Sequence, residues 1–272
     1  MGTEGAVSQV SPTRMDHAGS STPRRVLRVE VLLVLGVSLG MAAIQAAVYL
    51  VGALTGPKAL ADSRALLNTS SAPGRPWLDL ALQLVGILAG VMPALLAVHL
   101  LSRDGEAGRG SARLGLDRGR LAGDGVRGGL LAAVIGVPGL LLYLISHALG
   151  LSAQVVPESL PGVWWRVPVL ILSAAQNGVL EEVVVTGYLV TRLGQLGWRP
   201  WPAVVASSVL RGGYHLYQGF SGFAGNLVMG LIFARFFQRT GRVLPLILAH
   251  TLLDTVAFVG YAALHGHVSW LP

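Results

Sequence analysis

Three acidic side chains lie in strongly apolar surroundings in the second half of the chain. After Glu158 the only carboxylates are Glu181, Glu182 and Asp254, and each lies within a run of apolar residues. Each ionisable residue near the middle of a membrane helix costs roughly 2.5–3.5 kcal/mol on insertion scales. Such residues are retained chiefly for function, so their spacing is the first indication of what the chain does.

The spacing of the acidic residues predicts which of them can act together. His250 and Asp254 are four residues apart, so they share one face of a helix. Glu181 and Glu182 are adjacent and therefore about 100° apart around a helix. Only one of the two glutamates can point at a reacting centre, and the other is left to contact neighbouring helices.

Carboxylates and imidazoles held away from water are suited to hydrolysis. A desolvated glutamate becomes a competent base near neutral pH and can activate water, and peptide hydrolysis also needs a donor for the oxyanion. Alternatively, two histidines and a carboxylate could hold Zn²⁺ with one position open for water, the candidate ligands being His215, His250 and Asp254. The chain has no cysteine, which excludes thiolate metal sites and cysteine nucleophiles.

The elements that must position these residues are membrane helices. The composition is 53% hydrophobic and 12% charged, with a mean hydropathy of +0.62, which is too apolar for an ordinary soluble domain. Uncharged runs exceed the roughly 20 residues that a helix needs to cross a bilayer. We predict an all-α, polytopic transmembrane bundle of about seven spans: Val31–Ala53, Leu78–Leu101, Gly128–Leu151, Val167–Leu189, Pro202–Tyr217, Phe220–Phe237 and Val243–Leu264.

Arginines in the short loops predict the orientation of the bundle. Most basic residues fall on one side if the N-terminus is cytoplasmic, so the positive-inside rule favours N-in, C-out. The net charge of +7 does not indicate nucleic-acid binding, because these arginines lie in loops between apolar runs. The expected partners are the lipid bilayer and a membrane peptide or protein, with no nucleic acid.

Three short motifs, in order along the chain, resemble those of the CPBP family of intramembrane proteases. This family (CAAX-protease and bacteriocin-processing) is also called the Abi or type II CAAX endopeptidase family. EEVVVTG at 181–187 is similar to its EExxxR motif, RGGYH at 211–215 to FxxxH, and HTLLD at 250–254 to HxxxN or HxxxD. The resemblance covers roughly residues 164–263.

The resemblance implies roles for the candidate residues. Glu181 would be the base that activates water, with His215 assisting, while His250 and Asp254 would stabilise the oxyanion or bind a metal. Both a metal-assisted and a metal-free glutamate mechanism are described for the family. The cofactor is therefore either a divalent ion such as zinc or none.

Two positions depart from the motifs. Thr186 stands where the first motif has Arg, and Arg211 stands where the second has Phe. We hypothesise that Arg211 supplies the positive partner of Glu182 that residue 186 usually supplies. Asn177, one helical turn before Glu181, is expected to bond between helices or to orient the base.

The sequence thus predicts three regions and one function. A disordered tail is expected at 1–25, three spans with a basic cytoplasmic loop at 102–127 within 26–155, and the protease-like region at 160–265. The function predicted is an intramembrane endopeptidase acting near the cytoplasmic side of a plasma membrane, which the Gly-, Ala- and Arg-rich composition indicates to be bacterial. A non-catalytic scaffold or bacteriocin-immunity protein of the same fold, and an ion-coupled transporter, are the alternatives.

The predicted spans place the candidate residues at unequal depths. At a rise of 1.5 Å per residue, Glu181 lies about 12 Å and His250 about 10 Å from the cytoplasmic ends of their spans, but His215 lies about 20 Å deep. Either a tilt or a shift of helix boundaries is needed for the three to meet.

Overall fold

The apolar runs of the sequence form helices that account for most of the described chain. The computed structural model describes residues 22–103, 110–117, 119–265 and 267–268, and the predicted tail at 1–25 lies almost entirely outside them. In chain order the α-helices are α1 Arg24–Gly36, α2 Leu39–Thr55, α3 Pro76–Ser102, α4 Gly110–Arg113, α5 Leu121–Ala148, α6 Arg166–Glu181, α7 Val190–Gln195, α8 Pro200–Tyr214, α9 Phe220–Thr240 and α10 Leu244–Leu264.

Five helical stretches in the described residues are long and apolar enough to cross a membrane. They are α3, α5, α9, α10 and the continuous stretch Arg166–Gln195, which joins α6 to α7 through a π-helix at Glu182–Leu189. Helices α1 and α2, bent by 51° at their junction, pass the same test as a pair, which raises the number to six. The chain is therefore a multi-pass membrane protein, as predicted.

The fifth predicted span is a shorter helix than the sequence suggested. Helix α8 has 15 residues and is about 22 Å long, less than the roughly 30 Å of the hydrocarbon layer. It ends at Tyr214, and a single 3₁₀ turn, Leu216–Gln218, leads to α9. The count of seven spans therefore stays a prediction, because α8 alone does not reach across.

Two short strands add to the helical bundle that the sequence predicted. Strand β1, Arg64–Thr69, follows α2, and strand β2, Gln154–Ser159, follows α5. They pair in parallel with Arg64 opposite Gln154 and Thr69 opposite Ser159. Parallel pairing requires the α2–α3 and α5–α6 connections to lie at the same end of the bundle.

The loops gather at two opposite ends of the bundle. At one end, which we call the strand face, the pair β1–β2 meets the α8–α9 turn, where the Ala153 amide donates to the Gln218 carbonyl over 3.1 Å. Gly219 completes that turn at φ 93°, and a side chain there would collide with Ser152. The other end, the arginine face, carries the N-terminus of α1 and the α3–α5, α7–α8 and α9–α10 connections.

Some arginines of the arginine face are buried ion-pair partners as well as loop charges. Arg242 donates to Asp124 and to Asp117, each over 2.6 Å, and so ties the α9–α10 turn to the start of α5. The hydrogen bond from Arg242 lowers the pKa of Asp117. Arg192, with no exposed side-chain area, bonds Glu30 of α1 at 2.6 Å. These pairs hold the arginine face together over long sequence separations.

Candidate active site

Helices α6 and α10 approach closely at the level of the candidate residues. A side chain at Gly178 would lie 2.7 Å from the Thr251 hydroxyl and 3.0 Å from the Ile247 carbonyl, so only glycine allows this contact. One turn later α6 ends and the π-helix begins. This wider helix form is rare and is found frequently at functional sites. The close contact brings both glutamates against α10.

Glu182 is a fully buried carboxylate held by three other residues. Nη2 of Arg211 donates to its Oε1 at 2.6 Å, and the Thr186 hydroxyl donates to its Oε2 at 2.8 Å. Because a carboxylate only accepts, Nδ1 of His250 donates to Oε1 at 2.7 Å. The contact that the Arg211 hypothesis requires is therefore present, since Arg211 reaches Glu182 across from α8.

Glu181 points into a cavity, unlike its neighbour. Its Oε2 accepts a hydrogen bond from the Tyr214 hydroxyl at 2.7 Å, and Nη1 of Arg211 lies 3.6 Å away. Nε2 of His250 faces the same oxygen at 4.0 Å. The adjacent glutamates therefore have separate surroundings, as their angular separation on a helix predicted, and Glu181 is the one available to a reacting group.

The two histidines each present one ring nitrogen to the cavity. Since Nδ1 of His250 is taken by Glu182, its Nε2 is left beside Glu181 and lies 3.8 Å from Oδ1 of Asp254. Nδ1 of His215 donates to the Arg211 carbonyl at 3.0 Å. The Nε2 atom of that ring is then also left to face the cavity. Both imidazoles are thus oriented by a bond on the far side of the ring.

Asn177 supports Asp254 and does not orient the candidate base. Its Nδ2 donates to Oδ2 of Asp254 at 2.9 Å, which links α6 to α10. This is the interhelical bond that the sequence suggested. Asn226 of α9, in contrast, donates to the Gly222 carbonyl of its own helix at 3.0 Å.

The candidate residues line one cavity of about 260 Å³. Its wall includes Glu181, His215, His250 and Asp254, whereas Glu182 lies behind it. Residues of the strand face complete the wall: Leu67, Asn68, Tyr217 and Gln218. The cavity therefore extends from the middle of the bundle towards the strand face.

The difference in depth between Glu181 and His215 that the sequence suggested disappears once the helix bounds are known, whereas His250 still lies about 9 Å from the start of α10. The helix that carries Glu181 continues to Gln195, six residues beyond the predicted end at Leu189. Glu181 then lies about 21 Å from its arginine-face end, and His215, just after α8, lies about 22 Å from the start of that helix. Glu181 therefore lies at the middle of its helical stretch, Arg166–Gln195.

Sequence reasoning missed several residues of the cavity wall. Tyr214 is the most important, because it bonds Glu181 directly. Its place beside His215, inside the second motif, was the signal that could have identified it. Asn68 and Gln218 gave no such signal, since they belong to loops whose approach to the site depends on the strand pairing.

The predicted zinc ligands are not the group of side chains that the structure brings together. The donor atoms that lie within 4.8 Å of one another in the described residues belong to Glu181, Glu182 and His250, and not to the predicted set of His215, His250 and Asp254. Arg211 already places a buried positive charge 2.6 Å from one of these carboxylates and 3.6 Å from the other. A metal ion bound there would be repelled by the positive charge of the Arg211 guanidinium.

The comparison with protein families agrees with the three motifs. Residues 163–256 match the family model described as type II CAAX prenyl endopeptidase Rce1-like. The predicted family resemblance is confirmed. The matched residues, which we call the Rce1-like segment, end within α10. They include the five candidate residues Glu181, Glu182, His215, His250 and Asp254. No curated protein and no solved structure matches the chain.

The exchange of Thr186 and Arg211 relative to the motifs can be tested by reversing it. Arg211→Phe should unfold the Rce1-like segment more easily, because removing one partner of a buried ion pair costs about 3–5 kcal/mol. Adding Thr186→Arg should recover most of the melting temperature lost, because the new guanidinium can reach Glu182 from one helical turn away. Melting of the detergent-solubilised variants measures both. Equal melting temperatures of the single and double variants would reject the exchange.

Proposed function

We propose that the chain is an intramembrane endopeptidase that hydrolyses a peptide bond of a membrane-associated protein or peptide. The observation that carries the proposal is the gap of 4.0 Å between Oε2 of Glu181 and Nε2 of His250 on the cavity wall. A water molecule that lies beside this pair of atoms can form a hydrogen bond to each of them. The Rce1-like match at 163–256 supports the same class of activity.

The arrangement assigns a role to each side chain. Glu181 accepts a proton from water as the water oxygen attacks the carbonyl carbon, and it later returns that proton to the leaving amine. The Tyr214 hydroxyl and Arg211 hold the Glu181 carboxylate in place. Nε2 of His250 and Nε2 of His215, when protonated, are the donors for the oxyanion.

Glu182 and Asp254 act through the histidine between them. Glu182 bonds Nδ1 of His250 and so fixes the ring with Nε2 towards the cavity. Asp254, held by Asn177, lies 3.8 Å from Nε2 of the same ring. In this proposal Glu182 is a positioning residue, and Glu181 alone is the base.

The adjacent glutamates provide a matched test of these roles. Glu181→Gln should lower the rate of peptide cleavage by about 10²–10⁴-fold, as removal of a general base does, with little change in melting temperature. Glu182→Gln should lower the melting temperature clearly, because it leaves the Arg211 charge buried without its partner. A mixture of quenched fluorogenic peptides in detergent micelles reports cleavage. Unchanged cleavage in Glu181→Gln would show that the residue is not the base, as expected of a scaffold.

The buried guanidinium also predicts how the enzyme responds to chelators. Because Arg211 already places a positive charge beside both glutamates, we expect cleavage to persist after dialysis against EDTA and 1,10-phenanthroline. Elemental analysis of the purified protein should find less than one equivalent of zinc. Loss of activity that returns on addition of zinc would contradict this prediction.

We further propose that the arginine face is cytoplasmic and the strand face lies on the other side of the membrane. The excess of arginine at the first of these faces supports this orientation. The cavity then extends away from the cytoplasm, so hydrolysis takes place at mid-depth and not near the cytoplasmic side, where the sequence alone had suggested it.

The absence of cysteine from the sequence makes the orientation directly testable. Ser71→Cys places a thiol in the exposed β1–α3 loop of the strand face, and Ala112→Cys places one in an exposed position of the arginine face. A membrane-impermeant maleimide should label the first in intact cells and the second only after permeabilisation. The cysteine-free parent is the control, and the reverse pattern would overturn the orientation.

A further inference from the structure

The outer edge of β1 carries backbone groups that point away from its partner strand. In a parallel ladder the N–H and C=O of one residue point to the same side, and the side alternates along the strand. The Gln154 amide donates to the Ser63 carbonyl at 2.8 Å, and Ala65 stands opposite Val155. The backbone N–H and C=O groups of Ser63, Ala65 and Leu67 therefore point towards β2. Those of the residues between them point away from it.

The residues whose backbone groups point away from β2 are Arg64, Leu66 and Asn68. Within the described residues β1 pairs with no strand but β2, and the backbone groups of these three have no hydrogen-bond partner. The side chain of Leu66 is 53% exposed. An uncovered strand edge of this kind offers hydrogen bonds to any extended chain that lies beside it.

This edge leads directly to the catalytic residues. Leu67 and Asn68, at the end of β1, line the cavity together with Glu181 and His250. The Asn68 side chain is fixed by a 2.9 Å hydrogen bond from its Nδ2 to the Pro157 carbonyl. An extended chain advances about 3.3 Å per residue, so a peptide paired at Leu66 comes level with Asn68 two residues later.

We propose that the outer edge of β1 pairs with an extended segment of the substrate and carries its scissile bond into the cavity. The inference rests on the proposed endopeptidase function and specifies the form of its substrate. Main-chain pairing gives affinity that does not depend on side chains. The cavity and the exposed face of Leu66 then select among sequences.

The pairing determines which part of a membrane protein can be cut. In a transmembrane helix every backbone group is already bonded within the helix, so it offers nothing to a strand edge. A segment that pairs with β1 must be extended. The substrate is therefore a non-helical stretch next to the membrane at the strand face, or the end of a helix that unwinds there.

A proline at position 66 tests the edge without breaking the sheet. Leu66→Pro removes the outward N–H, and proline is accepted on an edge strand when its missing N–H faces outward. With a fluorogenic peptide whose cleavage needs Glu181, we expect KM to rise about five- to tenfold, the effect of one lost hydrogen bond, at a nearly unchanged kcat. Leu66→Ala loses the same side chain but keeps the N–H, so it is the matched control, and its KM should lie well below that of Leu66→Pro.

Hydrogen exchange provides a second readout that does not depend on the proline variant folding. In the full-length Glu181→Gln protein, saturation with the same peptide should slow exchange of the Leu66 and Asn68 amides. The Ala65 and Leu67 amides, already bonded to β2, should change little. Uniform protection, or none along β1, would overturn the proposal.

The two levels of the proposal fail in different ways. If Leu66→Pro and Leu66→Ala have the same KM while Glu181→Gln is inactive, edge pairing is wrong and hydrolysis stands. If no peptide is cleaved in a Glu181-dependent manner, the proposed function fails and the inference fails with it.

Discussion

The ion pair between Glu182 and Arg211 is the contact on which the rest of the site depends. Both side chains are completely buried, and a buried charge is tolerated only when it is paired and hydrogen-bonded. Arg211 brings α8 to this carboxylate, and His250 brings α10 to the same oxygen atom. One carboxylate therefore joins three helices. The positions of Glu181, His215 and Asp254 follow from that junction, because each is a short helical distance from one of its members.

The adjacent glutamates separate support from reactivity. Because they point in different directions around the helix, Glu182 lies among hydrogen-bond donors of neighbouring helices, whereas Glu181 lies at the cavity wall. The buried contacts of Glu182 thus fix the position of Glu181, the candidate base, and Arg211 lies close to both carboxylates. The π-helix that follows widens the helix over Glu182–Leu189 and buries every residue in it.

Helical spacing within apolar runs was enough to predict that His250 and Asp254 share a face and that the two glutamates diverge, while the two departures from the motifs predicted the contact between Arg211 and Glu182. Each of these depends on residues near one another in sequence or on a charge that needs a partner. The true end of this helical stretch, at Gln195, could not be predicted in this way, because Arg192 has the charge of a loop residue and is neutralised only by Glu30 on another helix. The two strands also escaped prediction. They are short, and their pairing joins loops about ninety residues apart.

A hydrolase inside a bilayer must bring both water and an extended peptide to a place that excludes them. Here the same strand-face loops meet both needs. Polar residues of the β1 end and the α8–α9 turn line the cavity down to Glu181, so water has a path lined by hydrogen-bonding groups. The outward backbone of β1 lies at the mouth of that path. Backbone hydrogen bonds are the interactions that every substrate can form, whatever its sequence. In this proposal a free strand edge beside the base therefore both binds the substrate and positions its scissile bond.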